Sequence, residues 1–215
     1  MLRVLAIAPA LLMPAAAHAE WEISVYGGVQ SSPHSSVSIR GDDVLEDRDF
    51  RAGWEGRSLD TPPYYGIRAT YWVSDIWGIG VEHNHAKVYA DDATLDETGF
   101  ERLEFSDGIN IETVNVWRRF PGAFGPVTPY LGAGLGISVP NVELTDEGTR
   151  TFEYQVTGPA MALVAGGRYD LDETWSIFGE YKFTYSQNEA ELDSGGTLRT
   201  DIVTNALNIG VSYRF

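Results

Sequence analysis

The last twelve residues of the chain, Thr204 to Phe215 (TNALNIGVSYRF), constrain its fold more than any other segment. Leu207, Ile209, Val211, Tyr213 and Phe215 are apolar at every second position, and Asn208, Gly210, Ser212 and Arg214 fill the gaps. Successive side chains of a strand point to opposite faces, so this segment has one apolar face and one polar face. A strand of this kind that closes on aromatics suits a sheet with lipid on one side and polar groups on the other.

The same alternation recurs upstream. Trp21, Ile23, Val25, Gly27 and Val29 make a first strand, and Tyr65, Ile67, Ala69, Tyr71 and Val73 a second. After a turn at Ser74-Asp75-Ile76 come Trp77, Ile79 and Val81; a fourth strand is expected near Ile109 to Phe120, with Val114 and Val116 facing out. Leu131 to Val139, Met161 to Tyr169, Ile177 to Tyr185 and the terminal segment complete about eight. Short links near 74–76, 121–127 and 170–174, flanked by Tyr71, Trp72, Trp77, Trp117, Phe120, Tyr130, Tyr169 and Trp175, alternate with long polar links near 31–62, 90–108, 140–157 and 187–200. Short turns on one side, long loops on the other and aromatics at the short ends define an all-β fold: an eight-stranded antiparallel transmembrane β-barrel of the bacterial outer membrane, with its long loops to the exterior. A soluble barrel of the lipocalin type would turn its apolar faces inward. Glu22, Arg68, Glu82, Arg168, Glu180, Lys182 and Arg214 would then meet solvent singly. In a small lipid-embedded barrel they form an interior plug of ion pairs, without an open pore.

The N-terminus is consistent with this. Arg3, an apolar run from Val4 to Met13, and Ala17-His18-Ala19 before Glu20 read as a secretory signal cleaved after Ala19. The apolar run is too short for a spanning helix, which needs about 20 residues. Residues 20–215 then form one barrel domain, expected to be a monomer inserted by the barrel-assembly machinery. No cysteine is present, so disulfides and thiolate metal sites are excluded. A net charge of −16 argues against nucleic acid as a partner.

Gly132-x-Gly134-x-Gly136 superficially resembles a dinucleotide loop, but it lies in a strand with Ile at 137, and the fingerprint needs a strand-to-helix turn with a third glycine. Three glycines on one strand face instead thin the wall where inward side chains crowd. The acidic clusters Asp42-Asp43, Asp91-Asp92 and Asp170-Leu171-Asp172-Glu173 lack the spacing of a calcium loop.

Three features carry chemistry. In His83-Asn84-His85-Ala86-Lys87-Val88-Tyr89, continuing the face of Trp77, Ile79 and Val81 places His83, His85 and Lys87 outward, just above the apolar band and level with outer-leaflet headgroups. Two histidines two apart on a strand can share a metal or acid–base work. The first long loop holds Ser31-Ser32-Pro33-His34-Ser35, Gly53-Trp54-Glu55-Gly56-Arg57-Ser58 and Thr61-Pro62-Pro63-Tyr64-Tyr65-Gly66-Ile67-Arg68, a composition expected of a folded lip packed on the barrel rim. Phe105-Ser106-Asp107-Gly108-Ile109-Asn110 reads as a tight turn entering the fourth strand.

Together Pro33-His34-Ser35, Trp54 to Ser58, Pro62 to Thr70, His85 to Ala90 and Phe105 to Gly108 resemble the lipid A oxidase family, most densely between Ser31 and Asn110. The resemblance implies an outer-membrane barrel that oxidises the proximal glucosamine of lipid A to 2-aminogluconate, with O2 as co-substrate. The site residues follow from position and chemistry. His85, His83 and Glu55 are the catalytic candidates, with Glu82 as another proton acceptor. Lys87, Arg57, Trp54, Tyr64 and Arg68 are candidates to bind the lipid, although alternation points Arg68 and Glu82 inward. His83, His85, His34 and Asp91 are candidate ligands of a divalent redox metal. Two alternatives stand beside this reading: a non-enzymatic surface barrel of structural or adhesin-like type, and a lipid A acylhydrolase using a pair such as His34 and Ser36.

Overall fold

The computed structural model describes residues 20–146 and 148–215, with Ser106 and Asp107 described by their backbone alone; the expected signal Met1–Ala19 lies outside the described residues. The strands are β1 (Glu20–Ser31), β2 (Ser35–Arg40), β3 (Arg48–Ala52), β4 (Trp54–Glu55), β5 (Tyr65–Trp72), β6 (Trp77–Ala90), β7 (Arg102–Arg119), β8 (Val127–Asp146), β9 (Thr149–Tyr154), β10 (Gly158–Asp170), β11 (Trp175–Glu191) and β12 (Thr197–Arg214), with one helix, α1 (Asp92–Thr98). Eight strands close a ring in the order β1, β5, β6, β7, β8, β10, β11, β12, every neighbour antiparallel. The terminal segment seals it, Val211 lying opposite Val25 on one side and Ile177 on the other. Closure leaves the ring without an edge, which is what a sheet in lipid requires.

In the half with short turns the alternation reads as expected. Val25, Ile79, Val81, Val114, Leu131, Leu135, Leu207 and Ile209 are exposed on the outer wall. Trp21 packs against Tyr71 and Trp175 against Tyr213 at its lower margin, an aromatic girdle. Three aromatics expected in that girdle turn inward instead: Trp72, Trp117 and Tyr130 are buried. There they meet cations, with the Arg119 guanidinium 3.3 Å from the Trp72 ring centre and that of Arg68 4.0 Å from Trp117. Gly132 gives Trp117 its room, since a Cβ there would stand 2.1 Å from the indole.

The interior holds the plug in two layers. Arg68 makes two bonds to Glu180, of 3.2 and 3.0 Å, and one of 3.2 Å to Glu82, which also meets Lys182 and the Tyr26 hydroxyl. Below, Glu22 joins Arg119 and Arg168, with Glu20, Asp170 and Arg214 around them. In the upper layer two cations face two carboxylates, so the burial is charge-neutral. Among the described residues the interior is packed: the gap beside the lower layer, lined by Glu22, Arg68, Arg119 and Arg168, has a volume of about 20 Å³.

Beyond the membrane the rule inverts. β6, β7, β8, β11 and β12 continue past the apolar band, and most of their inward residues become apolar: Ala86, Val88 and Ala90 on β6, Val142 and Leu144 on β8, Leu198 and Ile202 on β12, with Ser186 and Asn188 of β11 as buried polar exceptions. Water now lies outside the wall, so the apolar side turns in. The long connections supply the missing wall. β2 pairs with the upper part of β12 and with β3, β4 with the top of β6, and β9 with β8. Val37, Ile39, Trp54, Phe100 and Phe105 fill the enclosed core. The first loop is thus a folded lip, as expected, and more: with α1 it helps cover an apolar-cored head on top of the membrane barrel.

The segment from Phe105 to Ile109 is a correction. It is a wide bulge inside β7 and not a turn before it. Phe105 and Ile109 are four apart, while their partners Val88 and Ala86 are two apart. Gly108, at φ +102°, takes the conformation that only glycine adopts without strain.

Candidate functional site at the outer rim

β6 carries the chemistry at the point where the wall changes character. Val81 is the last exposed aliphatic on its outer face, and His83 and His85 follow. Register chooses their neighbours: His83 lies between Ile67 of β5 and Glu112 of β7, His85 between Tyr65 and Asn110. His83 Nδ1 is 2.5 Å from Glu112 Oε1, and its Nε2 is 3.4 Å from the Tyr65 hydroxyl. A carboxylate accepts from Nδ1–H and leaves Nε2 as the basic nitrogen, turned toward the phenol. Carboxylate, imidazole and phenol therefore stand in a line on the lipid-facing wall. The His83 and Glu112 side chains are one-third or more exposed, so the line is open to the bilayer surface.

His85 is held differently. Its ring is buried, stacked on Tyr65 at 5.1 Å and 25°, with Nδ1 2.9 Å from Asn110 Oδ1. The bulge makes the space, for a Cβ on Gly108 would lie 2.1 Å from His85 Cε1. His85 thus backs Tyr65, and His83 with Glu112 forms the accessible front.

The other expected residues scatter. Lys87 points outward but is buried beneath the first loop, where its Nζ donates to the Asp60 carbonyl at 3.3 Å. Glu55 pairs with Arg57 at 3.0 Å beside Tyr89, four residues and about 13 Å along the strand from His85. Trp54 is in the core of the head, its indole N–H donating to Ser35 Oγ. Tyr64 is buried inside the barrel against Tyr26, and Arg68 and Glu82 are in the plug, so these three face away from lipid. Asp91 caps α1, accepting from the Thr94 backbone N–H at 2.9 Å and its hydroxyl at 2.6 Å. Those bonds hold its carboxyl below the usual range.

The four expected metal ligands therefore fall into two pairs. His34 lies near Asp91, beyond the end of β6, and His83 and His85 are at the rim, about 20 Å back along that strand. Among the described residues, no group of three or more His, Asp or Glu side chains is placed to hold a metal ion. The residues present do not fit the metal centre expected. Glu112 was not singled out in the sequence, and Asn110 only as the end of the Phe105–Asn110 segment, with no role at the histidines. Only the β6–β7 register shows them, because Glu112 by itself is one more polar residue ending an apolar run.

A model of the outer membrane protein beta-barrel domain matches residues 4–215. Comparison with curated proteins gives no match. Among solved structures, the barrel is similar to OprG of Pseudomonas aeruginosa, at 16% identity with TM-score 0.58 over 93% of this chain and 98% of that one. It is also similar to Neisserial surface protein A, at 13% identity with TM-score 0.52 over 91% and 97%. At these identities the likeness is one of fold. The chain belongs to the outer membrane protein beta-barrel domain family and is an integral protein of the outer membrane.

Proposed function

We propose that this barrel is a lipid A oxidase, converting the proximal glucosamine to 2-aminogluconate with O2 at the outer leaflet. One observation carries the reading: the line Glu112–His83–Tyr65 lies on the outer wall directly above the apolar band, where only a membrane lipid presents its headgroup. A polar relay for a soluble substrate would have no reason to face lipid.

The reaction removes two electrons and two protons from the anomeric carbon and its hydroxyl. O2 takes both and leaves as hydrogen peroxide, and water opens the resulting lactone to the carboxylate. The product is heavier than the substrate by one oxygen atom. In this scheme His83 Nε2 holds the proton from the sugar hydroxyl, Glu112 stabilises the imidazolium, and Tyr65 OH positions the sugar. His85, stacked on Tyr65 and tied to Asn110, positions that ring. Relative to the sequence reading, the proton acceptor moves from Glu55 to His83, with Glu112 as its orienting carboxylate.

The test is mass spectrometry of lipid A from cells that lack the modification and express the chain, with and without air. An air-dependent gain of one oxygen, lost in His83→Ala and in Glu112→Gln, is the expected result. Loss of an acyl chain would assign hydrolysis. An unaltered lipid A above a folded barrel would favour the second reading, a non-enzymatic surface barrel, whose support is the apolar-cored head built on the outer end of the membrane barrel.

A further inference from the structure

The outer wall of the head carries a second arrangement that the oxidase scheme does not use. Strand register places Tyr89 of β6, Glu104 of β7, Glu143 of β8 and Phe152 of β9 in one unbroken row. Three inter-strand steps of about 4.8 Å make the row about 14 Å wide. It floors an open cleft of about 420 Å³, within the range of small-ligand sites. Both carboxylates are buried, although they face outward into water.

Arginines stand round the row. Arg57 lies over the Tyr89 ring at 4.5 Å and Arg150 over Phe152 at 4.9 Å. Arg150 Nη2 is 2.9 Å from Glu143, and Arg102 Nη1 reaches both Glu104 and Glu143, at 3.4 and 3.6 Å. The Arg102 and Arg150 side chains are each more than half exposed, so these guanidiniums keep donors turned to solvent.

An aromatic ring at each end, carboxylate acceptors between them and exposed guanidinium forks above is the recognition set for an acidic sugar. Carboxylates accept from hydroxyls, the rings hold Arg57 and Arg150 in place, and guanidiniums take carboxylate or phosphate groups in fork geometry. The height selects the source. Tyr89 is four residues above His85, about 13 Å further along the strand from the headgroup level. That is where the saccharide of an outer-leaflet glycolipid stands. We propose that this cleft binds the acidic, phosphorylated oligosaccharide borne by the lipid whose headgroup lies at the rim. The inference rests on the preceding reading only in taking lipopolysaccharide as the lipid in question.

The test measures binding of a soluble probe to the full barrel in detergent: the acidic oligosaccharide released from lipopolysaccharide by mild acid, with maltohexaose and inorganic phosphate as controls. The expected result is saturable binding of the acidic oligosaccharide alone, weakened about tenfold by Arg102→Gln/Arg150→Gln, the loss expected for a charge-assisted contact. Phe152→Ala, at an exposed ring outside the ion pairs, is a second variant with the same expectation if the double substitution disturbs the head. Equal binding of maltohexaose, equal binding of phosphate, or affinity unchanged in both variants would overturn the proposal. Neither lipid A nor O2 takes part, so the two readings separate. His83→Ala leaves this affinity intact whatever it does to oxidation, and loss of binding with oxidation retained removes the saccharide site alone.

Discussion

Substitution of Arg68 by methionine probes the plug at its most informative point. The upper layer balances two cations, Arg68 and Lys182, against two carboxylates, Glu82 and Glu180. Methionine keeps much of the side-chain volume and removes the guanidinium. Glu180 then retains the Tyr130 hydroxyl at 2.6 Å and the Asn208 amide at 3.2 Å but has no cation, and the layer carries one uncompensated negative charge. Breaking a buried pair from one side costs about 3–5 kcal/mol. The stacking of Arg68 on Trp117 at 4.0 Å adds about 1 kcal/mol. Adding Glu180→Gln restores neutrality, Lys182 against Glu82, so Arg68→Met/Glu180→Gln should recover more than half of the loss. The remainder reflects lost hydrogen bonds, each about 1 kcal/mol. Urea titration of the barrel folded into phosphatidylcholine vesicles, followed by tryptophan fluorescence, measures both. The two losses in the single variant come to about 4–6 kcal/mol, so at a slope of about 2–3 kcal/mol/M it should lower the midpoint by about 1–3 M, with the slope unchanged. A single-variant loss below about 1 kcal/mol, or a double variant as unstable as the sum of its singles, would refute a dry, charge-balanced interior.

Four further outcomes follow from the same geometry. Gly132→Val forces a branched side chain into the Trp117 indole and should cost about 1–3 kcal/mol in the same titration, with altered tryptophan emission. Asp91→Ala removes the cap of α1 and should cost the head about 1 kcal/mol locally, read as faster hydrogen exchange near α1 with the membrane strands unaffected. Because the folded Asp91 carboxyl lies below its unfolded value, its contribution is complete above the unfolded value near 4 and fades as pH falls through the folded one; protection of α1 in the native protein should therefore drop on acidification below about pH 4 and not at neutral pH. If the proposed oxidation takes place, His83→Ala should lower it by about 10²–10⁴, the range for a positioned acid–base group, while changing the unfolding free energy by less than about 1 kcal/mol.

The membrane half was legible because lipid enforces a period of two. Leu207 to Tyr213 face out and Asn208 to Ser212 face in, as the sequence implies. The inward run of Arg68, Glu82, Glu180 and Lys182 was legible for the same reason. The head was not, because leaving the bilayer reverses the meaning of the pattern. Ala86, Val88 and Ala90 are apolar and inward, whereas Ile79 and Val81, on the same strand, are apolar and outward. Trp72, Trp117 and Tyr130 misled for a related reason: a ring beside a short turn can serve the girdle or stack on an interior arginine. The histidines were legible as a rim feature, but their partners were not. Glu112, Asn110 and Tyr65 become neighbours through register and through a bulge at Gly108, and neither is written in the alternation of β6. The row from Tyr89 to Phe152 likewise draws on four strands, one of them inside what reads as a loop.

The most direct test of the account is whether lipid A occupies the rim at Tyr65. A benzophenone side chain placed there, irradiated in the intact outer membrane, should crosslink to lipid A, and one placed at the buried Tyr64 next to it should not. Crosslinking of lipid A at neither position, with the barrel folded and inserted, would contradict the claim that this wall is where the protein meets its substrate.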